Sequence, residues 1–244
     1  MTSDPETAVR RRRELSASLR LVQERIGSAC VAVGRSPGEV ALIVVTKFFP
    51  ASDIEALCQL GVTDIGESRD QEASAKIAAL PAEVRQRLKV HFIGQVQSNK
   101  AASLAAYVDA VHSIDREKLV RGLDQAVAAA GRDVDALVQV SLREDPAEGG
   151  RGGIPPDAVA ELASSVAASG HLRLRGLMAV APLGVDPGKA FARLATVARS
   201  MRADHPEATW ISAGMSADLE SAVANGATHL RVGTAILGSR PPAG

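Results

Sequence analysis

Two patterns of apolar residues follow one another along the chain. In the first part, Leu15, Leu19, Val22 and Ile26 recur at spacings of three and four. That spacing places them on one face of a long helix, read here over residues 7–34. From Ala41 onward the pattern changes. Short, nearly continuous apolar runs alternate with longer amphipathic stretches. The runs are Ala41–Thr46, Val62–Ile65, Val90–Ile93, Val108–Ile114, Ala136–Leu142, Leu174–Ala179, Thr209–Ser212 and Leu230–Val232. Continuous runs, rather than strict alternation, fit parallel strands buried on both faces. Between them, helical patterns cover Ala51–Leu60 (Ser52 a plausible N-cap), Gln71–Leu80, Lys100–Ala106 and Glu117–Ala130. Three more cover Pro156–Ser169, Gly188–Arg202 and Ala217–Asn225, and only a short tail follows the last strand.

Eight strand–helix units in this length predict an α/β fold, a single (β/α)8 TIM barrel with an extra N-terminal helix. A doubly wound open sheet is the alternative. The first strand–helix turn, VTKFFP, lacks the Gly-rich dinucleotide fingerprint such a sheet would carry. Residues 1–6 read as a flexible tail and residues 40–240 as the barrel, with no second domain. The stretch PAEGGRGGIPP (146–156) reads as a mobile loop, because the alternation resumes after it.

Composition narrows the functions. Lys+Arg 28 balance Asp+Glu 28, so the basic excess of a general nucleic-acid binder is missing. One Trp and one Tyr cannot build a stacked RNA-binding surface. Cys30 and Cys58 set no disulfide framework, and no His/Cys/Asp cluster has metal-ligand spacing. The basic run Arg10–Arg13 reads as a solvated helix face. The N-terminus has no apolar signal core and no run is long enough for a membrane span, so a reduced, cytoplasmic protein is expected.

In such a barrel, chemistry collects at the C-terminal ends of the strands. Lys47 stands there after the first strand. Three roles are open: an imine-forming amine, a phosphate-binding cation, or a lysine reaching out to solvent. The segment from Ser212 to Asp218 follows the seventh strand and opens a helix, with Ser216 the expected N-cap. Its glycine, Gly214, allows close backbone approach, and free amides there favour an anion. Arg231, Gly233 and Thr234 end the eighth strand. The loops after strands seven and eight are the usual phosphate site of a barrel. His91 and His112 read as hydrogen-bonded core residues.

The motifs VTKFFP, GESRDQEA, HFIGQVQSNK, VHSID, RGLMAV and SAGMSADLESAVANGATHLRVGTAILGSR, in this order, resemble the YggS/PROSC family of pyridoxal 5′-phosphate (PLP) homeostasis proteins. The resemblance runs from about Val40 to Arg240. It implies a barrel related to the N-terminal domain of alanine racemase, with PLP held as an imine on Lys47. It places the phosphate on Ser212, Gly214, Ser216, Gly233 and Thr234, with Met215 among them, and Arg231 beside the pyridine nitrogen. Three departures stand out. Ser68 replaces the asparagine of the family's Gly-Glu-Asn, which removes an amide near the cofactor. Ser141 follows Val140 where the family has asparagine. Arg151-Gly152-Gly153 replaces Lys-Ser-Gly; arginine keeps the charge but cannot form an imine.

PLP binding does not by itself make an enzyme. A racemase needs a base on each face of the imine, and no residue opposite Lys47 is evident: Tyr107 precedes a strand, Cys30 and Cys58 lie in helices, and the sequence ends soon after the last strand. A guanidinium beside the ring nitrogen also disfavours the protonated pyridine that stabilises carbanions. The expected role is therefore PLP binding and homeostasis or delivery without appreciable catalysis. The expected partners are PLP and PLP-dependent apoenzymes or amino acids, with no nucleic acid, no membrane and a monomeric state. A weak PLP-dependent racemase and a non-PLP aldolase or sugar-phosphate binder are the alternatives.

Overall fold

The computed structural model describes residues 5–143 and 152–240. Arg151, most of the 146–156 loop and the first four residues lie outside them. Eight parallel strands close into a barrel in sequence order: β1 (Ala41–Val45), β2 (Asp64–Glu67), β3 (Lys89–Phe92), β4 (Ala110–Ile114), β5 (Val134–Gln139), β6 (Leu172–Met178), β7 (Trp210–Ser212) and β8 (His229–Val232). β1 pairs with β2 on one side and with β8 on the other, with Ile43 opposite Arg231.

Around the barrel lie α1 (Pro5–Ala32), α2 (Ala51–Gln59), α3 (Asp70–Ala78), α4 (Ala82–Arg85), α5 (Ala101–Ala105), α6 (Glu117–Ala129), α7 (Val159–Ala167), α8 (Pro187–Asp204), α9 (Leu219–Ala224) and α10 (Thr234–Leu237). The helices bury the stripes that their spacing predicts: Leu15, Leu19, Val22 and Ile26 on α1, and Leu119, Val120, Leu123 and Val127 on α6. No helix among the described residues is long and apolar enough to cross a membrane.

Several expectations are corrected. α1 begins at Pro5, so Pro5 and Glu6 are helical rather than tail; proline is pre-organised for a first helical turn. Pro50, not Ser52, occupies the N-cap of α2, because Ala51 and Ser52 already have helical geometry. Ser216 likewise does not cap α9; Asp218 holds that position. α4 and α10 were not legible as helices, since four residues carry too little periodicity. Arg11 leaves the solvated face expected for Arg10–Arg13. Its Nη2 lies 2.7 Å from Asp53 Oδ2 and 3.1 Å from the Leu237 carbonyl, tying α1 to α2 and α10.

Successive strand residues face opposite sides of a sheet, and here the two sides differ. Outward, Val44, Ile65, Val90, Val111, Val138, Leu177, Ile211 and Leu230 join the apolar cluster shared with the helices. Inward, His112 of β4 touches Ser212 of β7. These strands are three places apart around the barrel, so the contact crosses its interior.

Candidate functional site

Lys47 follows β1, and its loop is held from below and from the side. Lys76 of α3 donates to the Thr46 carbonyl at 2.9 Å and pairs with Glu67 Oε1 at 2.7 Å and Glu72 Oε1 at 3.1 Å. The Thr46 hydroxyl donates to the same Glu67 oxygen at 2.7 Å. Burial pushes the Glu67 carboxyl up, against the opposing pull of Lys76. Phe48 has φ 71, an unusual conformation for a bulky residue, and its backbone N–H is held by Glu72. Cations flank its ring, Arg240 at 4.0 Å and Arg69 at 5.3 Å. The backbone on both sides of Lys47 is thus anchored. The site reading gave no role to Phe48, Glu67, Glu72 and Lys76. GESRDQEA contains both glutamates, but sequence spacing does not reveal that one lysine joins them.

The sequence has six lysines. Lys76, Lys89 and Lys100 pair with carboxylates, while Lys118 and Lys189 are exposed. Lys47 is half-buried with no carboxylate partner among the described residues, its Nζ 5.8 Å from the Phe48 ring centre.

The two loops proposed to hold an anion follow β7 and β8, and β8 is the strand paired with β1. Gly233 packs against β1: a Cβ there would sit 3.1 Å from the Val45 carbonyl oxygen. No protein acceptor takes the backbone N–H of Ser216, Gly233 or Thr234 among the described residues. Thr234 is exposed and Ser216 half-buried. Gly214 and Met215 behave differently. Gly214 has φ +91, and a Cβ would meet Ala222 at 2.6 Å and Leu230 at 2.8 Å, so glycine is required by packing inside the protein. The Met215 N–H is taken by Asp218 Oδ1 at 2.6 Å.

Ser212 and Arg231 lie deeper. Both are buried, and the Arg231 Nη1 donates to Ser212 Oγ at 2.6 Å while Nη2 donates to the Ala179 carbonyl at 2.9 Å. Burial pushes the Arg231 pKa down to about 10. Ser212 Oγ also meets His112 Nδ1 at 2.9 Å, so this hydroxyl belongs to the arginine's surroundings. His91 and His112 are fully buried and hydrogen-bonded, as expected of core histidines.

Tyr107 reaches the first turn of α3, where its hydroxyl donates to Asp70 Oδ1 at 3.3 Å. Burial holds this phenol in its protonated form, its pKa well above the ordinary value. Tyr107, Cys30 and Cys58 all belong to the apolar layer between barrel and helices. The described residues contain no group of three or more His, Cys, Asp or Glu placed to hold a metal ion.

The closed parallel barrel, with Lys47 after β1 and glycine-bearing loops after β7 and β8, defines the class of (β/α)8 barrels whose site lies at the C-terminal ends of the strands. Residues 32–241 match the family described as the alanine racemase N-terminal domain, and the chain belongs to that family. It is 44% identical to the pyridoxal phosphate homeostasis protein of Mycobacterium tuberculosis, covering 98% of both chains. Its fold matches an unknown protein from Bifidobacterium adolescentis with TM-score 0.87 and 29% identity, over 96% of this chain and 97% of the other. PipY of Synechococcus elongatus, solved with PLP bound, matches with TM-score 0.74 and 33% identity, over 87% of this chain and all of PipY (100%).

Proposed function

We propose that this protein binds PLP reversibly at the mouth of the barrel and serves PLP homeostasis as a carrier, without appreciable turnover of amino acids. The observation that carries this reading is Lys47: half-buried, without a carboxylate partner among the described residues, and just after the strand against which Gly233 packs. The PLP-bound structure of PipY supports the choice of ligand.

The residues present fit the group. PLP supplies an aldehyde carbon, which the Lys47 amine holds as an imine. The unused amides of Ser216, Gly233 and Thr234, with the Thr234 hydroxyl, hold the phosphate. Lys76 and Glu72 keep the Lys47 loop in place. Arg231 presents a cation where the pyridine nitrogen is expected, which opposes protonation of that nitrogen. Ser212, Gly214 and Met215 support this arrangement from within: one holds Arg231, one packs α9 on β8, and one is tied to Asp218.

The absence of turnover rests on two points. Tyr107, Cys30 and Cys58 lie in the outer layer, where none can face Lys47 as a second base. An unprotonated pyridine is also a poor electron sink. The test is α-proton exchange into deuterated solvent: alanine and serine with stoichiometric PLP-loaded protein should exchange no faster than with free PLP. Exchange well above that background, lost in Lys47→Ala, would favour the racemase reading instead.

A further inference from the structure

A row of hydrogen bonds crosses the barrel interior from one mouth towards the other. Asp64 Oδ1 meets His91 Nε2 at 2.9 Å, and His91 Nδ1 meets His112 Nε2 at 2.9 Å. His112 Nδ1 meets Ser212 Oγ at 2.9 Å, and Arg231 Nη1 reaches the same oxygen at 2.6 Å. Asp64, His91, His112, Ser212 and Arg231 come from β2, β3, β4, β7 and β8, so only the closed barrel brings them into line.

With both rings neutral, the two ends dictate the direction of every link. A guanidinium can only donate. Asp64 also accepts from the Thr63 hydroxyl at 2.6 Å, and an ionised carboxylate can only accept. Burial pushes the Asp64 carboxyl up, but the bonds from His91 and Thr63 outweigh it and hold it below the ordinary range. Burial, helped by the neighbouring Arg231, keeps His112 neutral. A neutral ring has one donor and one acceptor nitrogen. With neutral rings the sense is then uniform: Arg231 donates to Ser212, Ser212 to His112, His112 to His91, and His91 to Asp64.

The geometry points to Asp64, His91 and His112 as positioning residues for Arg231: they hold both imidazoles as Nε2–H tautomers and turn the Ser212 proton away from the guanidinium, leaving Ser212 Oγ as its acceptor. This deepens the reading given under Proposed function and rests on it. Two of the five guanidinium N–H groups are thereby committed, to Ser212 and to Ala179. No further protein acceptor takes the remainder among the described residues. The Ser212 hydroxyl has already given its proton to His112, so it is not a phosphate donor.

The first test needs no PLP. In histidine-labelled protein at neutral pH, long-range proton–nitrogen NMR should show both His91 and His112 as neutral Nε2–H rings. Asp64→Ala, two links from His112, should produce Nδ1–H signal at His112. A wild-type His112 carrying Nδ1–H, or a His112 spectrum unmoved by Asp64→Ala, overturns the proposal. The second test uses PLP labelled with 15N at the ring nitrogen. Wild type should show an unprotonated pyridine. Ser212→Ala and His112→Leu should move the signal towards pyridinium and raise the PLP dissociation constant about tenfold. An unchanged signal in both overturns the proposal. Should His112→Leu fail to fold, the smaller change Ser212→Ala decides. A wild type that takes up no PLP overturns the site reading and this role with it. Wrong-sense tautomers in a protein that does take up PLP overturn this role alone.

Discussion

The inner and outer sides of the same eight strands form two different environments. The outer side is largely apolar, from Val44 on β1 to Leu230 on β8, and packs against helix stripes, with the buried Glu67–Lys76 pair as its ionic exception. The inner side holds His91, His112, Ser212, His229 and Arg231, with Ile43, Val45, Leu137 and Met178 as its apolar part. A barrel interior is ordinarily filled with branched apolar side chains. Burying polar groups is costly unless each is hydrogen-bonded. The hydrogen bonds from Asp64 to Arg231 meet that requirement. The outer layer therefore supplies stability, and the interior spends part of it to present Arg231 towards the site.

The comparison is broken most sharply at the mouth. Lys47→Ala should abolish the imine absorbance of the PLP-loaded protein while leaving the thermal melt nearly unchanged. Borohydride reduction of wild type should fix one pyridoxyl phosphate per chain, on Lys47. A label found chiefly on Lys89 or Lys100 would refute the assignment, though both are engaged by carboxylates.

Phe191→Ala tests the outer layer. This α8 side chain is buried in the apolar cluster. Its loss should cost about 3–5 kcal/mol of stability in denaturant titration. The PLP affinity of the folded fraction should stay as in wild type; a parallel loss of affinity would show that the two layers are not separable.

Acid should act on the interior. Burial lowers the His229 pKa to about 3, against an ordinary 6.5, so the native state keeps this ring neutral. His112 is depressed for the same first reason. Unfolding therefore takes up protons between those values. The His229 contribution is complete above pH 6.5 and is lost as pH falls towards 3. His229→Gln should flatten the stability profile in that window; a slope equal to wild type would count against the assignment. The smallest effect sharpens the anion site. Charge-assisted hydrogen bonds contribute about 1.5–3 kcal/mol, so Thr234→Val should weaken PLP binding roughly tenfold. Pyridoxal without its phosphate should be insensitive to that change.

The sequence by itself determined the architecture. Continuous apolar runs separated by 3.6-period stretches are a local signal, and Lys47 could be placed at the end of the first strand from its run alone. Short elements such as α10 and caps such as Pro50 were not legible, because a single turn has almost no period to read. Motif resemblance located Ser212, Gly214, Met215 and Ser216 at the site, but their tasks differ in the structure. The Met215 amide is consumed by Asp218, and the Ser212 hydroxyl faces Arg231 and His112. Only tertiary structure decided this, as it decided the Glu67–Lys76–Glu72 anchor and the crossing from Asp64 to Arg231. Closing the barrel brings β8 beside β1 and lets β4 meet β7 through the interior. Hydrogen bonds between residues 100 positions apart, such as His112 and Ser212, then become contacts that no local pattern encodes.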